Sequence, residues 1–345
     1  MGFKNFLLKI VVNLLKGKTN EEASRFLIVS TTGLGDTLWA TPAIKALKEK
    51  YPEAYIAVLT SGLGSQVLER NPYINEIFAV KSFLSFLKQF HLLKKKQFYK
   101  IFIFHTSQRP ILPFCALLGA KEIIGTGGLQ KGLDDLLTKK LPQKYQHEVE
   151  RRLDIVGIKE ENPALEFFIE PKEIPQLASL KGILIGLHPG AKDKFKQWDP
   201  ACFIALGNLL VKTLGCTIVV TGGKEEKPLT DYIASQIRGA LSFGGKLTLS
   251  ETAELLSKLS AFIANDTGPM HLAFAMHTPT LALFTPTDHN LCGPLKGANA
   301  LVIQKHKTCS PCLRKKCSEP FCLLQISPKE ALLATLKLIK PKEKN

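Results

Sequence analysis

The sequence lacks any stretch approaching the ~18 uninterrupted apolar residues of a membrane-spanning helix, which excludes an integral membrane protein. It also lacks a secretory signal, because Lys9 and Asn13 break the apolar run of 1–16 and no A-x-A-like cleavage site follows. We therefore expect a reducing, cytoplasmic environment. The 345 residues are 45% hydrophobic and 22% charged, which excludes a disordered or low-complexity chain. At roughly 150 residues per domain, this length predicts two domains.

Acidic residues are scarce relative to basic ones, since 30 Asp and Glu face 46 Lys and Arg, a formal net charge of +16. A positive field of this size favours anionic partners, namely nucleic acid, phosphorylated substrates or an acidic membrane surface. The chain carries few clustered aromatic residues and no recognised nucleic-acid module, so we expect no nucleic-acid partner.

Two basic segments are predicted to be amphipathic helices. In 1–20, apolar residues recur at helical spacing and lysines fill most of the other face. Such a segment suits a membrane interface, and a terminal helix packed on its domain is the alternative. The second segment, 83–97, ends in three consecutive lysines; it faces either the core or a membrane.

Short apolar runs alternate with helical patterns along the rest of the chain, which predicts an α/β fold with parallel sheets. Three prolines and few periodic apolar residues in 160–182 indicate a connection between two similar halves. We predict an N-terminal domain at 21–170, a linker at 171–182, a second domain at 183–327, and a C-terminal helix and tail at 328–345.

The predicted elements follow one another closely in both halves. Thr248 and Glu251 form a capping box that opens one helix. In the first half, strands are predicted at 26–30, 55–60, 76–80, 100–104 and 122–125, with a tight turn at 33–36 and one helix at 37–51. In the second half, strands are predicted at 183–187, 217–221, 261–264 and 280–284, and helices at 200–214, 227–238, 248–259, 269–276 and 328–339.

The turn after the first strand reads Gly33-Leu34-Gly35-Asp36. A dinucleotide-binding fingerprint needs a third glycine where this chain has Leu38, so we do not expect a nicotinamide-binding domain. The two glycines permit close backbone approach and bring Asp36 to the mouth of the expected interdomain cleft. The alternative is that Asp36 only caps the following helix.

Three turns in the second half carry residues suited to an anionic ligand. His188-Pro189-Gly190-Ala191 precedes three lysines, which suits an anion, and a solvated loop is the alternative. The turn at 221–226 contains Gly222 and Lys224 and gives a weaker signal for ribose or adenosine contacts. At 264–271, Asp266 or Thr267 is predicted to cap a helix whose first-turn N–H groups bind phosphate, with His271 one turn further in.

The order of these motifs resembles glycosyltransferase family 9, the bacterial heptosyltransferases. The resemblance runs from about 26 to 326, and the run Asp-Thr-Gly-Pro-Met-His at 266–271 is the most specific part. It implies a GT-B fold, in which two Rossmann-like domains face a cleft and the C-terminal helix packs back on the first domain. It further implies inverting transfer of heptose from ADP-heptose to the lipopolysaccharide core, with no metal required for the transfer.

Carried over by motif, the resemblance assigns Asp36 as the catalytic base and Lys196 as a contact of the donor diphosphate. Acceptor contacts fall on Gly35 and, more loosely, on Arg109. Lys224 stands where some members carry an acidic donor contact. The implied enzyme is a monomer at the cytoplasmic face of the inner membrane. The donor-binding set is completed by His188, Gly190, Gly222, Lys224, Asp266, Thr267, Gly268 and His271.

Four clustered cysteines could hold a structural Zn or Fe ion, namely Cys309, Cys312, Cys317 and Cys322. A reduced redox-sensitive loop and one or two disulfides are the alternatives for this segment, 309–322. For the whole protein, the alternatives are a transferase with another nucleotide-sugar or a protein acceptor, a nucleotide-sugar epimerase, and a non-catalytic sugar-nucleotide-binding protein. Asp36 argues against the last of these.

Overall fold

The computed structural model describes residues 24–80, 83–104, 111–170, 174–175, 182–307 and 321–339, together with 309, 312 and 317. The chain divides into two compact units, Met1–Phe168 and Ile169–Asn345. The predicted helix in 1–20 and most of the predicted linker lie outside the described residues. None of the described helices is both long and apolar enough to cross a bilayer.

The first unit is built on a sheet of six parallel strands. Its strands are β1 (Arg25–Ser30), β2 (Tyr55–Ser61), β3 (Glu76–Val80), β4 (Lys100–Ile103), β5 (Glu122–Thr126) and β6 (Lys139–Leu141). They lie in the order β3-β2-β1-β4-β5-β6. The central strands β1 and β4 are nearly continuous apolar runs, as strands covered on both faces require.

Six described helices accompany this sheet: α1 (Leu34–Leu38), α2 (Thr41–Lys50), α3 (Gly62–Leu68), α4 (Phe83–Lys95), α5 (Ile111–Leu117) and α6 (Glu148–Val156). The tight turn predicted at 33–36 is wrong, because α1 already begins at Leu34. The single helix predicted at 37–51 is also wrong: α1 ends at Leu38, and α2 starts anew with Pro42 in its first turn, where the missing N–H costs nothing. The sequence reasoning missed α3, α5, α6 and the edge strand β6.

The second unit repeats this plan. Its strands are β7 (Leu184–His188), β8 (Thr217–Val220), β9 (Leu241–Ser242), β10 (Ala261–Asn265), β11 (Thr280–Phe284) and β12 (Ala300–Gln304), in the parallel order β12-β11-β10-β7-β8-β9. Its helices are α7 (Pro200–Leu214), α8 (Lys227–Ser235), α9 (Leu249–Ser257), α10 (Gly268–Ala275), α11 (His289–Cys292), α12 (Phe321–Leu324) and α13 (Pro328–Ile339). The capping box of α9 is confirmed, since Thr248 Oγ1 accepts from Glu251 N–H at 3.3 Å.

The C-terminal helix α13 packs within the second unit, against α7 and the strands β10, β11 and β12. The expectation that it packs back on the first domain stays a prediction. Its buried side, which includes Ala331, joins the same apolar core as Trp198 and Phe203. Burial of apolar surface against the second sheet explains why the chain folds back here.

In both units the first strand is flanked by the second and the fourth. The chain therefore adds strands on one side of the first strand and then changes to its other side, while all strands stay parallel. Open α/β sheets bind ligands at the carboxyl ends of the strands next to such a reversal. The segments that follow β1 and β4 in the first unit, and β7 and β10 in the second, are thus the places to look for a site.

Candidate functional site

Asp36 is the third residue of α1, directly after β1. The backbone N–H of Gly33, the N-cap residue, donates to Asp36 Oδ2 at 3.2 Å. Oδ2 therefore caps the start of the helix, which is the alternative role predicted for Asp36. The other oxygen, Oδ1, lies 3.6 Å from Arg152 Nη2, and the side chain remains 39% exposed.

The cations beside Asp36 come from α6, which the sequence reasoning did not identify. Arg152 Nη1 donates to the backbone oxygen of Glu148 at 2.8 Å and to Glu148 Oε2 at 2.5 Å. Arg151 Nη2 donates to the same Oε2 at 2.8 Å and to the backbone oxygen of Phe104, at the end of β4, at 2.6 Å. The sequence signal for these cations was the Arg-Arg dipeptide that begins four residues after His147. It indicates a partner for Asp36 only once the helix that carries it is known.

Burial would raise the pKa of Glu148, but the charges and hydrogen bonds of Arg152 and Arg151 outweigh it and lower that pKa below its ordinary value. Glu148 is therefore ionised at neutral pH and joins the two arginines. Of the predicted acceptor contacts, Gly35 lies in α1 beside Asp36. Arg109 lies outside the described residues.

In the second unit, Lys196 and Asp266 meet although 70 residues separate them in the sequence. Lys196 Nζ donates to Asp266 Oδ2 at 2.6 Å, and Thr287 Oγ1 donates to the same oxygen at 2.6 Å. Only 6% of Asp266 is exposed, so the carboxylate lies in a position where a paired cation is needed. The sequence reasoning did not identify Thr287. The feature that could have indicated it is its position just after β11, at the same edge of the sheet as Asp266.

Lys196 is held in place by the buried residues around it. Trp198 is 1% exposed; its backbone N–H donates to Asn265 Oδ1 at 3.1 Å and its indole Nε1–H to the backbone oxygen of Ile326 at 3.1 Å. Asn265 Nδ2 in turn donates to the backbone oxygen of Pro189 at 2.9 Å. One buried amide thus joins the turn after β7, the lysine-bearing segment and the end of β10.

The helix α10 begins beside this ion pair. Thr267 is its N-cap residue with an extended backbone, and its side chain makes no capping hydrogen bond. Pro269 stands in the first turn, as predicted. Asp266 is not the N-cap, because its carboxylate is bound by Lys196 and Thr287. His271 is 3% exposed with its ring packed against Phe274, so its predicted ligand contact stays a prediction.

The turns after β7 and β8 contact each other through Glu226. The Glu226 carboxylate accepts from Gly223 N–H at 2.7 Å and covers Gly190, where an added Cβ would lie 1.8 Å from Glu226 Oε1. An added Cβ at Gly222 would likewise meet Glu226 and Thr230. Lys224 is exposed, and its predicted donor contact stays a prediction. Glu226 is a residue of this turn that the sequence reasoning missed.

His188 is buried at the end of β7, with Nδ1 3.1 Å from Thr221 Oγ1. Burial lowers the pKa of the imidazole, although the Glu226 carboxylate opposes that shift. The ring is therefore neutral at neutral pH and suits a structural or hydrogen-bonding role better than charge pairing with an anion.

The four clustered cysteines lie at different depths. Cys309 is exposed, Cys312 and Cys317 are half-buried, and Cys322 is buried in α12. Burial raises the pKa of the Cys322 thiol, and the nearby Cys312 and Cys317 add to this effect. In the described part of the chain, no three His, Cys, Asp or Glu side chains are arranged to hold a metal ion.

A family model described as glycosyltransferase family 9 (heptosyltransferase) matches residues 118–322. The chain belongs to this family. Its strand-end motifs and the two doubly wound sheets described above agree with that membership, and the predicted enzyme class, a glycosyltransferase, is confirmed.

Members of family 9 resemble the chain over most of its length. Lipopolysaccharide heptosyltransferase 3 of Escherichia coli is 27% identical over 278 residues, which cover 74% of this chain and 82% of the relative. Lipooligosaccharide heptosyltransferase 2 of Campylobacter jejuni serotype O:2 is 24% identical over 324 residues, covering 90% and 96%. The structure of E. coli ADP-heptose lps heptosyltransferase II matches with a TM-score of 0.75 at 20% identity, covering 91% and 98%, which confirms the predicted GT-B fold.

Proposed function

We propose that this glycosyltransferase moves heptose from ADP-heptose to an acceptor sugar of the lipopolysaccharide inner core, with inversion at the anomeric carbon. The names of the curated relatives support heptose transfer in lipopolysaccharide or lipooligosaccharide synthesis. The observation that carries the donor half of the proposal is the Lys196–Asp266 ion pair at the uncapped start of α10.

The donor pyrophosphate is proposed to bind at that start. First-turn N–H groups at Thr267 and Gly268 and the positive end of the helix dipole attract an anion, and Lys196 adds a charge beside them. Negative charge grows on the departing ADP during transfer, so these groups stabilise the transition state more than the ground state.

Hydroxyl groups of the donor are proposed to meet the paired turns at Gly190 and Gly222. The carboxylate of Glu226 lies there and accepts hydrogen bonds, which suits sugar hydroxyls and disfavours phosphate. We therefore assign Glu226, rather than Lys224, as the acidic donor contact of this turn. Asp266, His188 and His271 complete the proposed donor side.

Asp36 is the proposed general base. It would take the proton of the acceptor hydroxyl while that oxygen forms its bond to the anomeric carbon, and the bond from that carbon to the ADP oxygen breaks. The exposure of Asp36 and the availability of Oδ1 support this role. Gly35 and Arg109 are proposed to contact the acceptor. A different nucleotide-sugar or a protein acceptor is the alternative.

The test is mass spectrometry of heptose-deficient lipopolysaccharide after incubation with ADP-heptose and the full-length protein. The expected product gains the mass of one heptose. Asp36→Asn should lower kcat by at least a thousandfold and leave the affinity for ADP unchanged in calorimetry, whereas the surface control Asp135→Asn should behave as wild type. No mass gain on lipopolysaccharide, or full turnover by Asp36→Asn, would contradict the assignment.

A structural Zn or Fe ion at Cys309, Cys312, Cys317 and Cys322 is a separate proposal. Four thiolates suit either ion, and the proximity of Cys312 and Cys317 to Cys322 supports it. No step of transfer depends on this ion. Metal analysis of anaerobically purified protein should give about one equivalent, as four-thiolate sites bind one ion; less than a tenth of that would exclude it.

A further inference from the structure

We infer that Arg152 is a positioning residue for the catalytic base, Asp36. The inference rests on the proposed function, in which Asp36 takes the proton of the acceptor hydroxyl. It starts from the different bonding of the two carboxylate oxygens. Oδ2 is bound by the N–H of Gly33 at 3.2 Å, which leaves Oδ1 as the oxygen that can receive a proton.

The distance from Oδ1 to Arg152 Nη2 is 3.6 Å, which is longer than a hydrogen bond but still within the range of an ion pair. A charge at this distance orients the carboxylate without occupying a lone pair of Oδ1. A closer contact would form a charge-assisted hydrogen bond and compete with the acceptor hydroxyl for Oδ1. The geometry therefore suits a base that must remain able to accept a proton.

Arg152 cannot easily move toward or away from Asp36. Its side chain is 1% exposed, Nη1 is held by two oxygens of Glu148, and the guanidinium lies over the ring of Trp39 at 5.3 Å from the centroid. Trp39 itself follows α1, the helix that carries Asp36. The same arginine thus contacts both the helix of the base and the base itself.

Arg152 connects Asp36 to the charged residues of α6. Arg151 and Arg152 carry two positive charges, and Glu148 supplies one negative charge to both. Asp36 Oδ1 is the further carboxylate oxygen that lies beside the buried guanidinium of Arg152. Replacing Arg152 would therefore remove the cation that orients this oxygen, while Oδ2 keeps its hydrogen bond to Gly33.

A buried arginine beside a glutamate usually serves packing alone, and Arg151 provides the matched control for that role. It shares Oε2 of Glu148 and is similarly buried, but its other contacts are Phe104 and Thr126. Replacing either arginine by Met removes one cation from Glu148. Only Arg152→Met removes the charge beside Asp36.

The experiment compares full-length wild type, Arg152→Met, Arg152→Lys, Arg151→Met and Asp36→Asn, with ADP-heptose and heptose-deficient lipopolysaccharide as probes. We expect Arg152→Met to lower kcat at least tenfold, with the KM for ADP-heptose within twofold of wild type. On a logarithmic scale, Arg152→Lys should recover at least a third of the kcat that Arg152→Met loses. Arg151→Met should keep kcat within threefold of wild type. Thermal unfolding is measured alongside for each variant.

The inference is overturned if Arg152→Met keeps kcat within twofold of wild type, or if both arginine variants lose kcat equally. Should Arg152→Met fail to fold, Arg152→Gln decides, because it keeps a polar side chain and removes the charge: a kcat within twofold of wild type would overturn the inference. Full activity of Asp36→Asn would instead refute the proposed base. Inactive Asp36→Asn with fully active Arg152→Met refutes only the role of Arg152.

Discussion

At the scale of single residues, two aspartates are each held by a cation, but in different ways. Asp266 is 6% exposed and lies at hydrogen-bonding distance from both Lys196 and Thr287. Asp36 is half-buried and lies beyond hydrogen-bonding distance from Arg152. The first arrangement is a buried ion pair, and the second leaves one carboxylate oxygen without a hydrogen bond from the arginine, as the proposed base requires.

The buried ion pair predicts that Lys196→Met affects folding as well as binding. Without its cation, Asp266 stays nearly buried and uncompensated, so unfolding should become easier by about 2–3 kcal/mol. Affinity for ADP should fall at least tenfold in calorimetry. The double variant Lys196→Met/Asp266→Asn should regain most of the stability and none of the affinity. Stability of Lys196→Met equal to that of wild type would contradict the pairing.

Glu148 predicts a pH-dependent contribution to stability. Because the arginines lower its pKa in the folded state, the contribution is complete above the ordinary value of 4.5 and is lost as the pH falls through the lowered pKa. At neutral pH, Glu148→Gln should lower the free energy of unfolding by about 1.5–3 kcal/mol. Denaturant titrations of both proteins should show this gap closing in acid, and a gap that stays constant would count against it.

At the scale of elements, the contact between two strand-end turns predicts the effect of Gly190→Ala. Its new methyl group would collide with the Glu226 carboxylate, the far end of a flexible side chain, so the fold should survive while Glu226 is displaced. We expect at least fivefold weaker binding of ADP-heptose and little change in melting temperature. In a Glu226→Ala background, Gly190→Ala should have almost no further effect; an undiminished effect would show that the two residues act independently.

Elements with strong apolar patterns were predictable, and short or interrupted ones were not. The helices Pro200–Leu214 and Pro328–Ile339 match their predictions, as do the buried central strands, because burial on a regular face leaves a clear periodicity. The short edge strand Lys139–Leu141 bears a mostly exposed, basic sequence. The break after Leu38 places Trp39 and Ala40 between two helices, and no local pattern of apolar residues reveals it.

At the scale of the whole molecule, the sequence could indicate the edges at which the site residues gather, but not all of their partners. Strand-end positions predicted Asp36, Lys196 and Asp266, because parallel strands bring their carboxyl ends together. Thr287 and Arg152 lie on other elements, and their contacts depend on the order of strands and on where α6 packs. Such long-range contacts have no signature in a single sequence.

The net charge of +16 and the basic segment 1–20 predict binding to anionic vesicles. The full-length protein should co-sediment with vesicles rich in phosphatidylglycerol, less so at high salt, and little with phosphatidylcholine alone. Removing residues 1–20 should lower the partition coefficient at least tenfold. Equal binding of both forms would assign membrane attachment to another part of the chain.

The pairing of Lys196 with Asp266 also bears on which small molecules the enzyme ignores. A lysine whose charge is already matched by a neighbouring carboxylate binds inorganic phosphate or sulfate weakly. A ligand binds here only if it makes further contacts elsewhere, for instance through hydroxyl groups. We therefore expect inorganic phosphate and sulfate to inhibit the enzyme only weakly.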